Sequence, residues 1–70
     1  MTQYKFKVND QVYHECDETR IGVICKLKTL FDVVKDESLN EQERIQPWYG
    51  VYWLHYDFVG HESEDSLVLI

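Results

Sequence analysis

Trp48 to Tyr56 reads WYGVYWLHY and is the most aromatic stretch of the sequence. Aromatic and β-branched side chains favour strands because they suit a pleated, half-buried surface. Alternate residues of a strand point to opposite faces, so Val51 and Trp53 share one face. The other face carries Trp48, Tyr52 and Tyr56. Because both faces are apolar, the stretch predicts either a central strand of a sheet or a strand with one face available for binding.

Two further strands are predicted upstream. Lys5 to Cys16 is strand-like apart from a break at Asn9–Asp10, and the polar residues 17–20 that follow predict a hairpin turn. A symmetric turn places Cys16 opposite Ile21 and gives the pair one apolar face, as a half-buried antiparallel sheet requires. The members of that face are Val12, His14 and Cys16 in the first strand and Ile21, Val23, Cys25 and Leu27 in the second.

Residues 35–47 form an acidic segment, KDESLNEQERIQP, between predicted strands. Ser38 followed by Glu41 has the capping-box spacing, which satisfies free amides at a helix start. We therefore expect one or two helical turns that end near Ile45. Pro47 returns the chain to extended structure, because the residue before a proline disfavours the helical region.

Short strands and turns follow the aromatic stretch. The sequence predicts a turn at residues 57–60, a strand at 61–63, a tight turn at 64–66 and a closing strand at 67–70. Seventy residues make one domain, 1–70. The predicted fold class is mainly β, a small antiparallel barrel of about five strands. The segment 35–47 is a partly helical insertion before the central aromatic strand.

Four short segments, KVNDQVYH, RIGVI, YGVYW and SEDSLVLI, have a familiar layout. In this layout the chain resembles SH3-like barrels of the Tudor and KOW type, which implies an SH3-like fold. Val12–His14, Gly22–Ile24 and Gln46–Val51, with the acidic insertion before Pro47, are also similar to the hemimethylated-DNA-binding-like (HspQ) family. That second resemblance implies DNA binding or a role as a protease-linked adaptor.

The formal net charge of −6 is unevenly distributed. Residues 1–35 hold six basic and five acidic side chains, whereas residues 36–70 hold one basic and eight acidic ones. Such a chain is a poor general binder of phosphate backbones, because repulsion replaces the gain from counterion release. A solvated acidic face, a basic protein partner and mimicry of nucleic acid all remain compatible with this charge.

Residues of the types used in catalysis are present without the spacing that catalysis or metal binding needs. No C-x₂-C or H-x₃-H pair occurs that would hold zinc, and no glycine-rich phosphate loop occurs. Cys16 and Cys25 are instead predicted to pack as small hydrophobes with free thiols. We therefore expect no enzyme activity, no metal and no cofactor. The polar start and the lack of a run of about 20 apolar residues predict a cytoplasmic protein without membrane contact.

The aromatic side chains are the candidate binding surface, because a small core can bury only some of them. A protein partner is the first prediction, although the insertion or a second subunit of a homo-oligomer could cover the same rings. The candidate partner surface comprises Trp48, Tyr52, Tyr56, Tyr13 and Phe58. The alternative surface is a basic ridge for nucleic acid, comprising Lys5, Lys7, Lys26 and Lys28. An accessory or phage-encoded regulator is the kind of protein that such a short acidic chain suggests.

Overall fold

One antiparallel sheet forms the protein, and the computed structural model describes it over residues 2–70. Two short helices and a 3₁₀-helix accompany the five strands. The strands are β1 Gln11–His14, β2 Asp17–Thr29, β3 Pro47–Trp53, β4 Phe58–Ser63 and β5 Leu67–Leu69. The helices are α1 Leu30–Val34, α2 Glu41–Arg44 and the 3₁₀-helix Glu64–Ser66. The mainly β fold and the partly helical insertion are therefore confirmed.

The strand order is β4-β3-β2-β1-β5, so the long β2 is central and β3 lies second from an edge. β3 is paired on both sides, in agreement with one of the two alternatives that its apolar faces predict, although it is not the middle strand of the five. The predicted strand extends to Tyr56, whereas β3 ends at Trp53 and a turn follows over residues 54–57. Asp57 has a left-handed backbone, with φ 52°, which reverses the chain there. Within residues 2–70, β4 and β5 remain the two edges, and the sheet is not closed into a barrel.

The predicted pairing of β1 with β2 is wrong in the position of the turn and in the face of β2 that packs against the core. Residues 15 and 16 form the turn, Val12 lies opposite Gly22, and Tyr13 rather than Cys16 lies opposite Ile21. The residues of β2 on the core face are consequently Gly22 and Ile24, not Ile21 and Val23. A Cβ on Gly22 would lie 2.5 Å from Val51 Cγ1, so only glycine leaves room for the core at this point. The side chains of Val51 and Trp53 occupy the space beside Gly22. The alternation of polar and apolar residues in the sequence does not reveal this packing.

Both cysteines are exposed and free, contrary to the prediction that they pack in the core. The register between β2 and β3 shifts between Ile24 and Lys26, so that Cys25 lies at an irregularity of the ladder. Its thiol donates a hydrogen bond of 3.3 Å to the carbonyl oxygen of Gly50. Cys16 lies in the two-residue turn before β2, where a side chain has no core to enter.

The segment before β1 crosses the core face of the sheet and is not the predicted strand. Asn9 has a left-handed backbone, with φ 80°, and Asp10 accepts a hydrogen bond from the Lys7 amide. This local turn breaks the alternation, so Phe6 is buried whereas Val8 is 44% exposed. Farther upstream, the Tyr4 hydroxyl donates to the Lys28 carbonyl oxygen at 2.8 Å. The core consists of Phe6, Val12, Ile24, Tyr49, Val51, Trp53 and Leu67.

The insertion contains a helix that begins with a different cap from the predicted one. Asn40, not Ser38, accepts the hydrogen bond from the Glu43 amide, and Glu43 bonds the Asn40 amide in return. Ser38 instead donates its hydroxyl to Asp36. The helix ends at Arg44, close to the predicted end, and the Arg44 guanidinium lies 4.6 Å from the ring centre of Phe31 in α1.

Candidate binding groove and sheet face

A groove of about 220 Å³ lies where β3 begins and β4 ends. Trp48 lies opposite Ser63 across the β3–β4 ladder, and Pro47 precedes it. The 3₁₀-helix directly after β4 forms the other wall. The residues that line the groove are Gln46, Pro47, Trp48, Ser63, Glu64 and Asp65. The sheet ladder therefore holds a half-buried indole against an acidic turn.

The two carboxylates of the groove differ in what they contact. Glu64 Oε2 accepts one hydrogen bond of 2.5 Å from the Tyr49 hydroxyl and another of 2.8 Å from the Lys5 amide. Asp65 is exposed and has no hydrogen bond or ion pair within residues 2–70. Glu64 is therefore a structural anchor, and Asp65 is the carboxylate free to meet a cation.

Three of the five predicted partner-surface aromatics share the outer face of the sheet, opposite the core. Tyr52 lies opposite Val23 of β2, and the same alternation places Trp48 and Tyr13 on that side. All three are half-buried. The Tyr52 hydroxyl bonds the Asp57 carboxylate, and this contact raises the pKa of Tyr52. The outer face thus carries rings that are partly available.

Tyr56 and Phe58 form a separate group near the 54–57 turn. Their ring centres lie 6.0 Å apart in an edge-on arrangement, and they are 57% and 47% exposed. The Arg20 guanidinium lies 5.4 Å from the ring centre of Tyr56 and 4.7 Å from that of Trp53. Because Tyr56 lies in the turn after β3 and not in the strand, its ring packs with Arg20 rather than beside Tyr52. The five predicted aromatics are therefore two groups and not one surface.

The predicted basic ridge is also divided. Lys26 and Lys28 lie on the outer face, opposite Gly50 and Trp48 respectively. The Lys28 Nζ is 3.3 Å from Nε2 of His61 on β4. Lys5 and Lys7 belong to the irregular segment before β1 and do not share that strand face. The outer face consequently combines two lysines with the rings of Trp48 and Tyr52.

His14 is the histidine most closely surrounded by polar groups. Its Nδ1 accepts a hydrogen bond of 3.1 Å from the Cys16 amide, and its Nε2 lies 3.8 Å from Glu62. Its ring faces Trp53 at 6.2 Å between ring centres. Both ring nitrogens of His14 therefore face polar groups of the protein itself. Over the described residues 2–70, no group of three or more His, Cys, Asp or Glu side chains could hold a metal ion.

No helix within residues 2–70 has the length and apolar character needed to cross a membrane.

Comparison with known proteins finds no matching family model, no matching curated protein and no matching solved structure. The groove itself was missed in the sequence, although Trp48 was singled out. Pro47 next to Trp48 and the SEDS segment were both recognised, but only as boundaries. Their contact depends on the β3–β4 register, which brings Trp48 opposite Ser63.

Proposed function

We propose that the protein is a non-enzymatic interaction module that binds a basic segment of a partner protein in the groove beside Trp48. The observation that carries this proposal is the half-buried Trp48 indole in a 220 Å³ groove whose wall bears the free carboxylate of Asp65. A lysine or arginine of the partner would lie over the indole and reach Asp65 with its charged end.

Physical magnitudes support this combination. A cation over a tryptophan ring gains roughly 0.5–2 kcal/mol, more where water is excluded. The alkyl stem of the same side chain covers apolar surface while its charge stays near water. The net charge of −6 also attracts a basic partner before contact and raises the association rate.

We also propose that the sheet is of the SH3-like class. The strand order β4-β3-β2-β1-β5 and the single 3₁₀-turn directly before the last strand support this assignment. Function does not follow from such a fold, because small barrels carry unrelated binding sites. The proposed activity therefore depends on the groove and not on the class.

The test is selection of binders from a displayed library of random twelve-residue peptides, followed by calorimetry with the synthetic peptides. We expect selected sequences to be enriched in lysine or arginine. Trp48→Ala should reduce the affinity by at least about tenfold, and Asp65→Asn by a smaller factor that shrinks at high salt. Glu18→Gln is the matched control, because Glu18 is an exposed carboxylate of β2 outside the groove. Selected peptides without basic residues, or full affinity in Trp48→Ala, would contradict the proposal.

Nucleic-acid binding is the second candidate, and one observation favours it. Lys26 and Lys28 share the outer face with Tyr52 and Trp48, so cations and stacking rings lie together. Single-stranded nucleic acid uses this combination of charge and stacking. We expect such binding to weaken steeply as salt rises and to be lost in Lys26→Glu/Lys28→Glu. The absence of any shift of single-stranded or duplex DNA at low salt would exclude it.

A further inference from the structure

β4 is an unprotected edge of the sheet. It pairs with β3 from Phe58 to Ser63 without a register shift, and within residues 2–70 no strand pairs with its other side. Natural edge strands are usually short, or carry lysine, proline or a bulge that prevents further pairing. The opposite edge, β5, has only three residues, whereas β4 has six and contains no lysine, proline or bulge. Its one charged side chain, Glu62, lies on the core face opposite Tyr49, and a carboxylate does not repel a basic strand. The outward backbone groups of β4 are therefore available to another strand.

This edge leads directly into the groove. Ser63, the last residue of β4, lines the groove opposite Trp48. The other end of β4 begins with Phe58 and Val59, which are 47% and 53% exposed. Val59 and Ser63 are four residues apart, or about 13 Å along an extended strand. One extended segment can thus contact the groove and the apolar end at the same time.

We propose that the partner segment binds as an additional strand along β4. This inference rests on the proposed function and specifies the ligand. The ligand is an extended peptide with a basic side chain in the Trp48–Asp65 groove and an apolar side chain about four residues away, beside Val59, which shares the outer face of β4 with Ser63. Main-chain hydrogen bonds supply affinity in this mode, and alternate side chains supply specificity.

Charge favours a basic partner over a second copy of the chain. An antiparallel pair of two β4 strands centred on Gly60 would place Asp57 of one copy opposite Ser63 of the other. Ser63 lies between Glu62 and Glu64, so Asp57 would be a diagonal neighbour of two carboxylates at each end of such a pair. Like charges at this separation repel each other and disfavour the pairing. Each copy also carries a net charge of −6, which a basic segment neutralises and a second copy doubles.

The probe is the tightest synthetic peptide from the library selection, together with versions N-methylated at one backbone amide each. N-methylation removes a hydrogen-bond donor and prevents close strand approach without changing a side chain. We expect affinity losses of about tenfold or more at alternate amides and small losses at the amides between them. Amide hydrogen exchange should slow at alternate residues of β4 on binding, and should stay unchanged in β5.

The outcomes separate the two proposals. If Trp48→Ala removes binding while N-methylation has no period of two and β4 exchange is unchanged, strand addition is wrong and the groove proposal stands. If no basic peptide binds, both are wrong. Sedimentation and hydrogen exchange of the protein without peptide test whether a second copy occupies the edge. A dimer whose β4 amides are already protected would show that it does, and would contradict strand addition by a basic peptide.

Discussion

The Tyr49 hydroxyl donates a hydrogen bond of 2.5 Å to Glu64 Oε2 and accepts one of 3.2 Å from the Phe6 amide. Tyr49 is fully buried in β3, and Glu64 begins the 3₁₀-helix at the groove. The Lys5 amide donates to the same carboxylate oxygen. One buried hydroxyl therefore connects the core, the segment before β1 and the acidic wall of the groove.

Tyr49→Phe should destabilise the protein by about 2 kcal/mol, because it leaves the buried Phe6 amide without its acceptor and removes one of the two donors to Glu64 Oε2. In a domain of this size such a loss lowers Tm by roughly 8–16 °C. Urea and thermal unfolding followed by circular dichroism measure both quantities. Hydrogen exchange of the Phe6 amide should accelerate in the variant.

Tyr13→Phe is the matched control for this substitution. Tyr13 lies on the outer face of β1, and its hydroxyl has no hydrogen-bond partner within residues 2–70. We expect its stability to stay within about 0.5 kcal/mol of the parent protein. Equal losses in the two variants would show that the Tyr49 contacts do not stabilise the fold.

Stability should fall at alkaline pH because of Tyr49. Burial, followed by the hydrogen bond to Glu64, raises the pKa of Tyr49 above its ordinary value of 10.0. The unfolded chain loses the phenolic proton near pH 10, whereas the folded chain retains it until a higher pH. The Tyr49 contribution is thus complete below pH 10 and is lost as the pH rises through the folded pKa.

Urea unfolding of the parent protein and Tyr49→Phe between pH 8 and about 11.5 tests this expectation. The difference in unfolding free energy between the two should be constant up to about pH 10 and should decrease above it. Subtraction of the variant removes the titration of the other tyrosines and lysines. A difference that stays constant throughout the range would contradict the raised pKa.

Gly22→Ala should be strongly destabilising although alanine is otherwise acceptable in a strand. The added Cβ would lie 2.5 Å from Val51 Cγ1 and 2.8 Å from Cε3 of Trp53. Overpacking of this kind typically costs about 1–3 kcal/mol because neighbouring side chains must shift. Gly50→Ala is the control, since its Cβ would approach no closer than 3.2 Å to Lys26 Cβ on the outer face. Similar unfolding free energies for the two variants would contradict the packing role of Gly22.

The same glycine explains why the sequence predicted the strands but not their pairing. Alternation predicted that Val51 and Trp53 share one face of the strand, and both are buried in β3 together with Tyr49. In β2 it favoured Ile21 and Val23 for the core, because glycine has no hydrophobic signal. The Trp53 ring occupies the space where a side chain of residue 22 would lie, so Gly22 faces the core. The register of β2 against β1 therefore differs from the predicted one.

Short sequence motifs also failed to predict which residue caps the helix of the insertion and which residues meet in the groove. The capping-box spacing occurs twice, from Ser38 to Glu41 and from Asn40 to Glu43, and only the second is used. The Ser38 hydroxyl bonds Asp36 and caps no helix amide. The groove depends on the pairing of Trp48 with Ser63, which are fifteen residues apart. Such contacts depend on ladder register, and single-sequence periodicity does not determine register.

Arg20 should act as a cover over Trp53. Its guanidinium lies 4.7 Å from the Trp53 ring centre, and its buried Nε has no hydrogen-bond partner within residues 2–70. In a Trp48→Phe background, which leaves Trp53 as the only indole, Arg20→Ala should shift the fluorescence emission to longer wavelength and increase quenching by acrylamide. The loss of packing and of the cation–π contact should also lower the unfolding free energy by about 1 kcal/mol.

Lys26→Ala in the same background is the control, because Lys26 is an exposed cation on the outer face. It should leave the emission wavelength, the quenching and the unfolding free energy unchanged. Unchanged emission and quenching in Arg20→Ala would mean that the strands alone shield Trp53 and that the guanidinium adds nothing to its burial.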